Sequence, residues 1–173
     1  MALIKTIQGK SPQLDKAHWI AENATIVGDV HMEDGVTVWY NAVIRGDVNS
    51  VQLGKNVNVQ DGVVIHCTYE KSKTWVGENV SIGHNAIVHG CHIASNVLIG
   101  MGAIIMDHAV INSNTIIAAG SVVLENSQLE PNAIYAGTPV RKVKTLSQDQ
   151  FEQEIERIAS NYRMYADWQE EPR

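Results

Sequence analysis

The sequence predicts a mainly β fold: a parallel β-helix, a three-sided prism of stacked coils, closed by one C-terminal α-helix. Three observations predict it. Large apolar residues recur every sixth position, at Ile20, Ile26, Met32, Val38 and Ile44, and again from Ile93 through Ile99, Ile105, Ile111, Ile117, Val123 and Leu129 to Tyr135. Four positions after each stands a small or β-branched residue, among them Ala24, Val30, Ala42, Val48, Val57, Ala86, Ala103 and Ser121. Gly, Asn and Asp crowd the positions between, as a chain that turns every six residues requires. Neither helical periodicity nor sustained two-residue alternation fits this pattern. Short strands joined by corners do, with three strands to a coil and successive coils stacked about 4.8 Å apart.

Residues 1–19 carry no clear period. Lys5, Lys10, Pro12 and Lys16 suggest a lead-in strand and a turn, which would cap the open end of the stack. The coils then occupy residues 20–140, with three breaks in register. Three extra residues separate Ile44 from Leu53, a polar insertion (Thr68–Trp75) separates Ile65 from Val76, and one residue is dropped between Val88 and Ile93. Beyond Arg141, Ser147 opens a helix over 147–169: Ser147 and Gln150 form a capping box, and Phe151, Ile155, Ile158, Tyr162 and Tyr165 make one apolar stripe. That stripe is expected to pack along the prism or against a neighbour. The end, Glu170 to Arg173, is expected to fray.

At 173 residues and 45% hydrophobic composition, the chain is one globular domain. Its net charge of −6, with no basic stripe, argues against nucleic acid or an anionic membrane surface as partner. No signal-like or membrane-spanning run is present, so a cytoplasmic protein with reduced Cys67 and Cys91 is expected, both cysteines serving as small buried fillers.

Histidines mark the one chemically loaded part of the repeat. His66 and His89 are each second in their six-residue frame and lie three frames apart, so they should stack on neighbouring strands of one chain. Two nitrogens bound to tetrahedral zinc lie about 3.3 Å apart, which adjacent strands can supply. His84 is third in its frame, on the preceding face, and cannot join them from its own chain. A neighbouring subunit could bring its own His84 to the pair, and a three-sided prism makes a cyclic trimer natural. Arg45 precedes His66 in its column and Asp61 precedes His84 in the other, with Asp47 and Gln60 close by. His18, His31 and His108 are expected to be ordinary surface residues, and His92 a turn residue.

The run Arg45-Gly46-Asp47, then Asn58-x-Gln60-Asp61 with His66 following, then His84 and His89, resembles the gamma-class carbonic anhydrase family of hexapeptide-repeat proteins. The resemblance covers residues 20–140 and implies a left-handed coil, whereas general crossover rules favour the right hand. It also implies zinc, or iron or cobalt, held by His66 and His89 of one subunit and His84 of the next in a homotrimer. It further implies that Arg45 and Asp47 pair across the interface, and that Gln60 and Asp61 contact the metal-bound water. The implied activity is hydration of carbon dioxide to bicarbonate by a metal-bound hydroxide. One position departs from the pattern: the prototype's proton-relay glutamate is replaced here by Val48, leaving Glu70 and His92 as the nearest substitutes.

Two other functions compete. An acyltransferase or thioesterase acting on coenzyme A esters shares the ending Ala136-Gly137-Thr138-Pro139, but such enzymes carry a catalytic histidine on a longer loop, and the Thr68–Trp75 insertion has none. A metal-binding trimer with little catalytic activity would keep the histidines for assembly alone.

Overall fold

The structure is a computed structural model describing residues 1–169; the fraying expected of 170–173 lies outside the described residues. The repeat builds a parallel β-solenoid. One face carries Val64–His66, Ile87–His89, Ile104–Ile105 and Val122–Val123. A second carries Thr74–Val76, His92–Ile93, Val110–Ile111 and Gln128–Leu129. Two longer strands, Thr25–Met32 and Val43–Leu53, bend round the corner and join these faces into one sheet. The third face runs from Trp19–Ile20 through Ser81–Ile82 to Ala133–Gly137, and ends with Val140–Thr145 folded back antiparallel. Leu3–Lys5 pairs alongside Thr25–Val27 at the opposite end.

Pairing follows the six-residue count: Ile105 lies beside Val123, and Ile99 beside Ile117, one coil of three pieces apart. Of the large apolar positions, Ile20 alone is half-buried, and the others from Ile26 to Tyr135 are buried. A column such as Ile44, Ile65, Val88, Ile105, Val123 therefore forms a continuous dry wall of the core. Side chains from three such walls fill the prism, and hydrophobic burial of this kind contributes about 25 cal/mol per Å².

One core assignment changes. The small position of the second coil belongs to Val51, which is fully buried beside Val30, while Val48 is only half-buried. Register slips between Gly28 and Val30: Gly28 pairs with Gly46, yet Val30 pairs with Val51. The extra residues thus bulge out at the corner after Gly46, and a bulge removes its own members from the inward face.

Corners are held by asparagine. Asn56, Asn79, Asn96, Asn114 and Asn132 all have left-handed φ, between 53° and 60°, and each side-chain amide donates to the next at 2.9–3.2 Å. Asparagine tolerates that backbone, and the ladder satisfies amides that would otherwise compete with the strands.

Ser147 caps the C-terminal helix, accepting from the Gln150 N–H at 3.2 Å with the reciprocal Gln150 contact also made. After one turn the helix widens to π geometry over Phe151–Glu156 and returns to α over Arg157–Gln169. It lies along its own prism, burying Ile155, Ala159 and Ala166. Tyr162 meets the indole of Trp39 edge-on, with ring centres 5.2 Å apart, and Asp167 reaches His18 Nε2 at 2.7 Å. His18, expected to be plain surface, therefore ties the helix to the fold.

Candidate metal centre

His66 and His89 end adjacent strands and are direct register partners. Their rings meet edge to face, and His66 Nδ1 stands 3.2 Å from His89 Nε2. The opposite nitrogen of each ring meets a carboxylate: His66 Nε2 lies 3.0 Å from Asp47 Oδ1, and His89 Nδ1 lies 2.7 Å from Asp107 Oδ2. Carboxylates accept the N–H of each ring, so the lone pairs fall on the two nitrogens that face each other. Arg45 donates from Nη1 to Asp47 Oδ2 at 2.5 Å, while its Nη2 stands 3.4 Å from His66 Nδ1. The resemblance implied an Arg45–Asp47 pair across an interface; within the single chain, Arg45 pairs with its own Asp47. Burial, then the Arg45 charge, push the His66 imidazole below its ordinary pKa. A neutral imidazole is the form that binds metal.

The second cluster sits on the third face. His84 Nδ1 lies 2.9 Å from Asp61 Oδ2, and Tyr162 Oη from the C-terminal helix lies 3.3 Å from His84 Nε2. Burial, with Asp61 nearby, pushes the Tyr162 phenol up to about 12, so it remains a donor at neutral pH. Donation then runs from Tyr162 to His84 Nε2 and from His84 Nδ1–H to Asp61, and the lone pair of His84 is on Nε2. Gln60 is buried; its Oε1 accepts the His84 backbone N–H at 3.2 Å and its Nε2 donates to Asn58 at 3.0 Å.

Arg45, Asp47, His66 and His89 thus form one group, and Gln60, Asp61 and His84 another. Among the described residues, no three His, Cys, Asp or Glu side chains of the single chain converge to hold a metal ion. The first group nonetheless fits one as a pair: 3.2 Å is the separation of two nitrogens on a tetrahedral zinc, about 3.3 Å for bonds of about 2.05 Å. Each ring is also already fixed in the tautomer that a metal requires.

Glu70 and His92 line a shallow depression on the second face together with Trp75. His92 stacks flat on Trp75, with ring centres 4.3 Å apart. Cys67 and Cys91 are buried and unpaired by disulfide, as expected. Two residues escaped the sequence reading: Asp107, behind His89, and Tyr162, on His84. Asp107 had a detectable signal, since the frame count places it one coil past Gly90, beside the column of His89. Tyr162 had none, because the docking of the helix is not written in the repeat.

The matching family model is the bacterial transferase hexapeptide (six repeats), over residues 90–125. A carbonic anhydrase of Geobacillus kaustophilus is 42% identical over 92% of this chain and 87% of its own length. Protein YrdA of Escherichia coli is 37% identical over 90% of this chain and 88% of its own. Mitochondrial gamma carbonic anhydrase 1 of Arabidopsis thaliana is 35% identical over 88% of this chain, which spans only 57% of that longer protein. Among solved structures, a hexapeptide transferase family protein from Anaplasma phagocytophilum superposes with a TM-score of 0.89 at 32% identity, covering 95% of this chain and 96% of its own.

Proposed function

The chain belongs to the gamma-class carbonic anhydrase family of hexapeptide-repeat proteins, and on that premise we propose that it is a zinc-dependent enzyme catalysing the reversible hydration of carbon dioxide. The observation that carries this reading is the facing pair His66 Nδ1 and His89 Nε2, 3.2 Å apart, with a carboxylate behind each ring. His66 and His89 hold the metal from one subunit of a homotrimer and His84 completes it from the next, with iron or cobalt able to replace zinc. Ile87 and Ile104, exposed on the strands beside this pair, favour a subunit contact there.

Zinc, when bound, supplies Lewis-acid activation of water at neutral pH. The protein's own residues do the remainder. Asp47 and Asp107 aim the two imidazoles and hold a hydrogen on the ring nitrogen that faces each carboxylate. Arg45 fixes Asp47. Gln60 and Asp61, which hold His84 by its backbone and its Nδ1, orient the reacting water and carbon dioxide. For His84 Nε2 to serve as a ligand, Tyr162 must give up its hydrogen bond, so assembly of the trimer is coupled to a local adjustment of the helix.

Val48 offers no proton acceptor, so the product proton leaves through Glu70 or His92, or directly to buffer. Turnover is then limited by the proton step, and rises with imidazole concentration. The protein works in the cytoplasm, where its two buried thiols stay reduced.

The test is metal analysis of the purified trimer followed by stopped-flow hydration with parent and His89→Ala protein. Stoichiometric metal and activity, both lost in the variant, are expected; activity untouched by the substitution would rule out this site. A metal-loaded trimer that hydrates nothing would instead be the assembly protein. A coenzyme A-dependent transferase has in its favour the close superposition on the Anaplasma protein, which is named for the hexapeptide transferase family. Against it stands an insertion without histidine, whose Thr68 and Ser72 hydroxyls are spent on Asp107.

A further inference from the structure

We propose that the Thr68–Trp75 insertion is a brace for the histidine pair, and that Asp107 is the positioning residue through which it acts on His89. This rests on the metal reading above. The insertion has the place of a catalytic loop in the repeat, yet its three hydroxyls, on Thr68, Ser72 and Thr74, turn inward while Glu70, Lys71 and Lys73 face outward. Ser72 and Thr74 are almost completely buried.

Asp107 comes from the coil after His89. Its Oδ2 lies 2.7 Å from His89 Nδ1, and a carboxylate in that place accepts only if Nδ1 carries the hydrogen. The contact therefore selects the tautomer that leaves the lone pair on Nε2, the atom facing His66. Asp107 is itself held by its other oxygen, which accepts from Thr68 Oγ1 at 3.0 Å and from Ser72 Oγ. Ser72 Oγ in turn accepts the Thr68 backbone N–H at 2.9 Å, so the two ends of this small loop share one carboxylate oxygen.

The far end of the insertion grips the strands themselves. Thr74 Oγ1 donates to the His66 carbonyl at 2.6 Å and accepts the Gly90 N–H at 2.9 Å, which joins the residue after His89 to His66. Gly90 has φ +56°, and a Cβ there would stand 2.7 Å from Ser72 Cβ and closer still to Asp107 Oδ1. A side chain at Gly90 would push the brace off the site. One short insertion thus sets the spacing of the two strands through Thr74 and the orientation of one ring through Asp107.

The experiment uses the full-length protein, stripped of metal and titrated with Zn²⁺ against a chelator of known affinity. Cobalt-loaded samples give the visible ligand-field spectrum. Asp107→Asn is expected to weaken zinc binding ~10–100-fold and to alter the cobalt bands, because an amide can present N–H to Nδ1 and favour the wrong tautomer. Ser72→Ala and Thr68→Val touch no proposed ligand. Each should weaken zinc ~3–10-fold, and they keep the test alive if Asp107→Asn fails to fold. A merely structural role would lower the melting temperature of the metal-free chain and leave affinity and spectrum alone; that result overturns the proposal. His89→Ala separates the two readings. If it abolishes binding while the Asp107, Ser72 and Thr68 variants bind zinc like the parent, the brace is refuted and the metal site stands. If His89→Ala binds zinc as tightly as the parent, the metal site is wrong and the brace falls with it.

Discussion

Substituting Gly46, the residue between Arg45 and Asp47, should damage fold and site together. Gly46 is buried and pairs with Gly28 in the neighbouring coil. A Cβ built at Gly46 lies 2.6 Å from the Asp29 carbonyl carbon and 2.9 Å from its nitrogen, with the carbonyl oxygen nearer still. These are main-chain atoms of the next coil, not the mobile tip of a side chain, so Gly46→Ala has to force the coils apart. Overpacking costs about 1–3 kcal/mol, and with no flexible neighbour to give way the upper end, about 3 kcal/mol, applies. At a urea dependence of about 1–3 kcal/mol/M, the unfolding midpoint should fall by about 1–3 M at fixed protein concentration. Arg45 and Asp47 flank the residue and hold His66, so bound metal should fall as well. A variant that unfolds with the parent and keeps full metal would refute the close stacking of coils at this corner.

Two further outcomes follow from the same geometry. Asn79 has φ +53° and is bonded in the corner ladder to Asn56 at 3.1 Å and Asn96 at 3.2 Å; Asn79→Ala should cost about 2–4 kcal/mol in urea unfolding, and Asn79→Gly about half as much, since glycine loses the ladder bonds but not the backbone fit. Equal losses in both variants would show that backbone strain is not part of the cost. Burial pushes the Cys67 thiol up to about 11 and the Cys91 thiol up to about 12. The thiolate is the reactive form, so at pH 8 neither should react with a disulfide reagent until denaturant is added, and one promptly reacting thiol in the folded protein would contradict this burial.

Much of this was legible because a prism is a counting device. Each inward residue must return after six, so Ile44, Ile65 and Val88 announced their own column, and His66 and His89 followed as neighbours one place along. Insertions blurred the count locally. Val48 stood in the right numerical place, yet the register slip after Gly46 gave its position to Val51. Long-range packing was not legible. The apolar stripe of the helix did not say which surface it would cover, so Tyr162 on His84 could not be foreseen. Nor did the spacing show that Thr68 and Ser72 turn inward onto Asp107, because hydroxyls in a polar loop look the same whether they face water or a carboxylate.

The central claim is a metal shared between subunits, and subunit mixing tests it most directly. Neither His84→Ala nor His89→Ala protein alone should bind stoichiometric zinc or hydrate carbon dioxide. Differently tagged chains of the two variants, co-expressed and purified as mixed trimers, should regain one complete site per trimer, where the His66–His89 pair of one chain meets His84 of the other. Recovered zinc and activity in the mixed trimer is the predicted result. Mixed trimers as empty and inactive as either parent variant, or His84→Ala protein with full zinc and full activity, would contradict it.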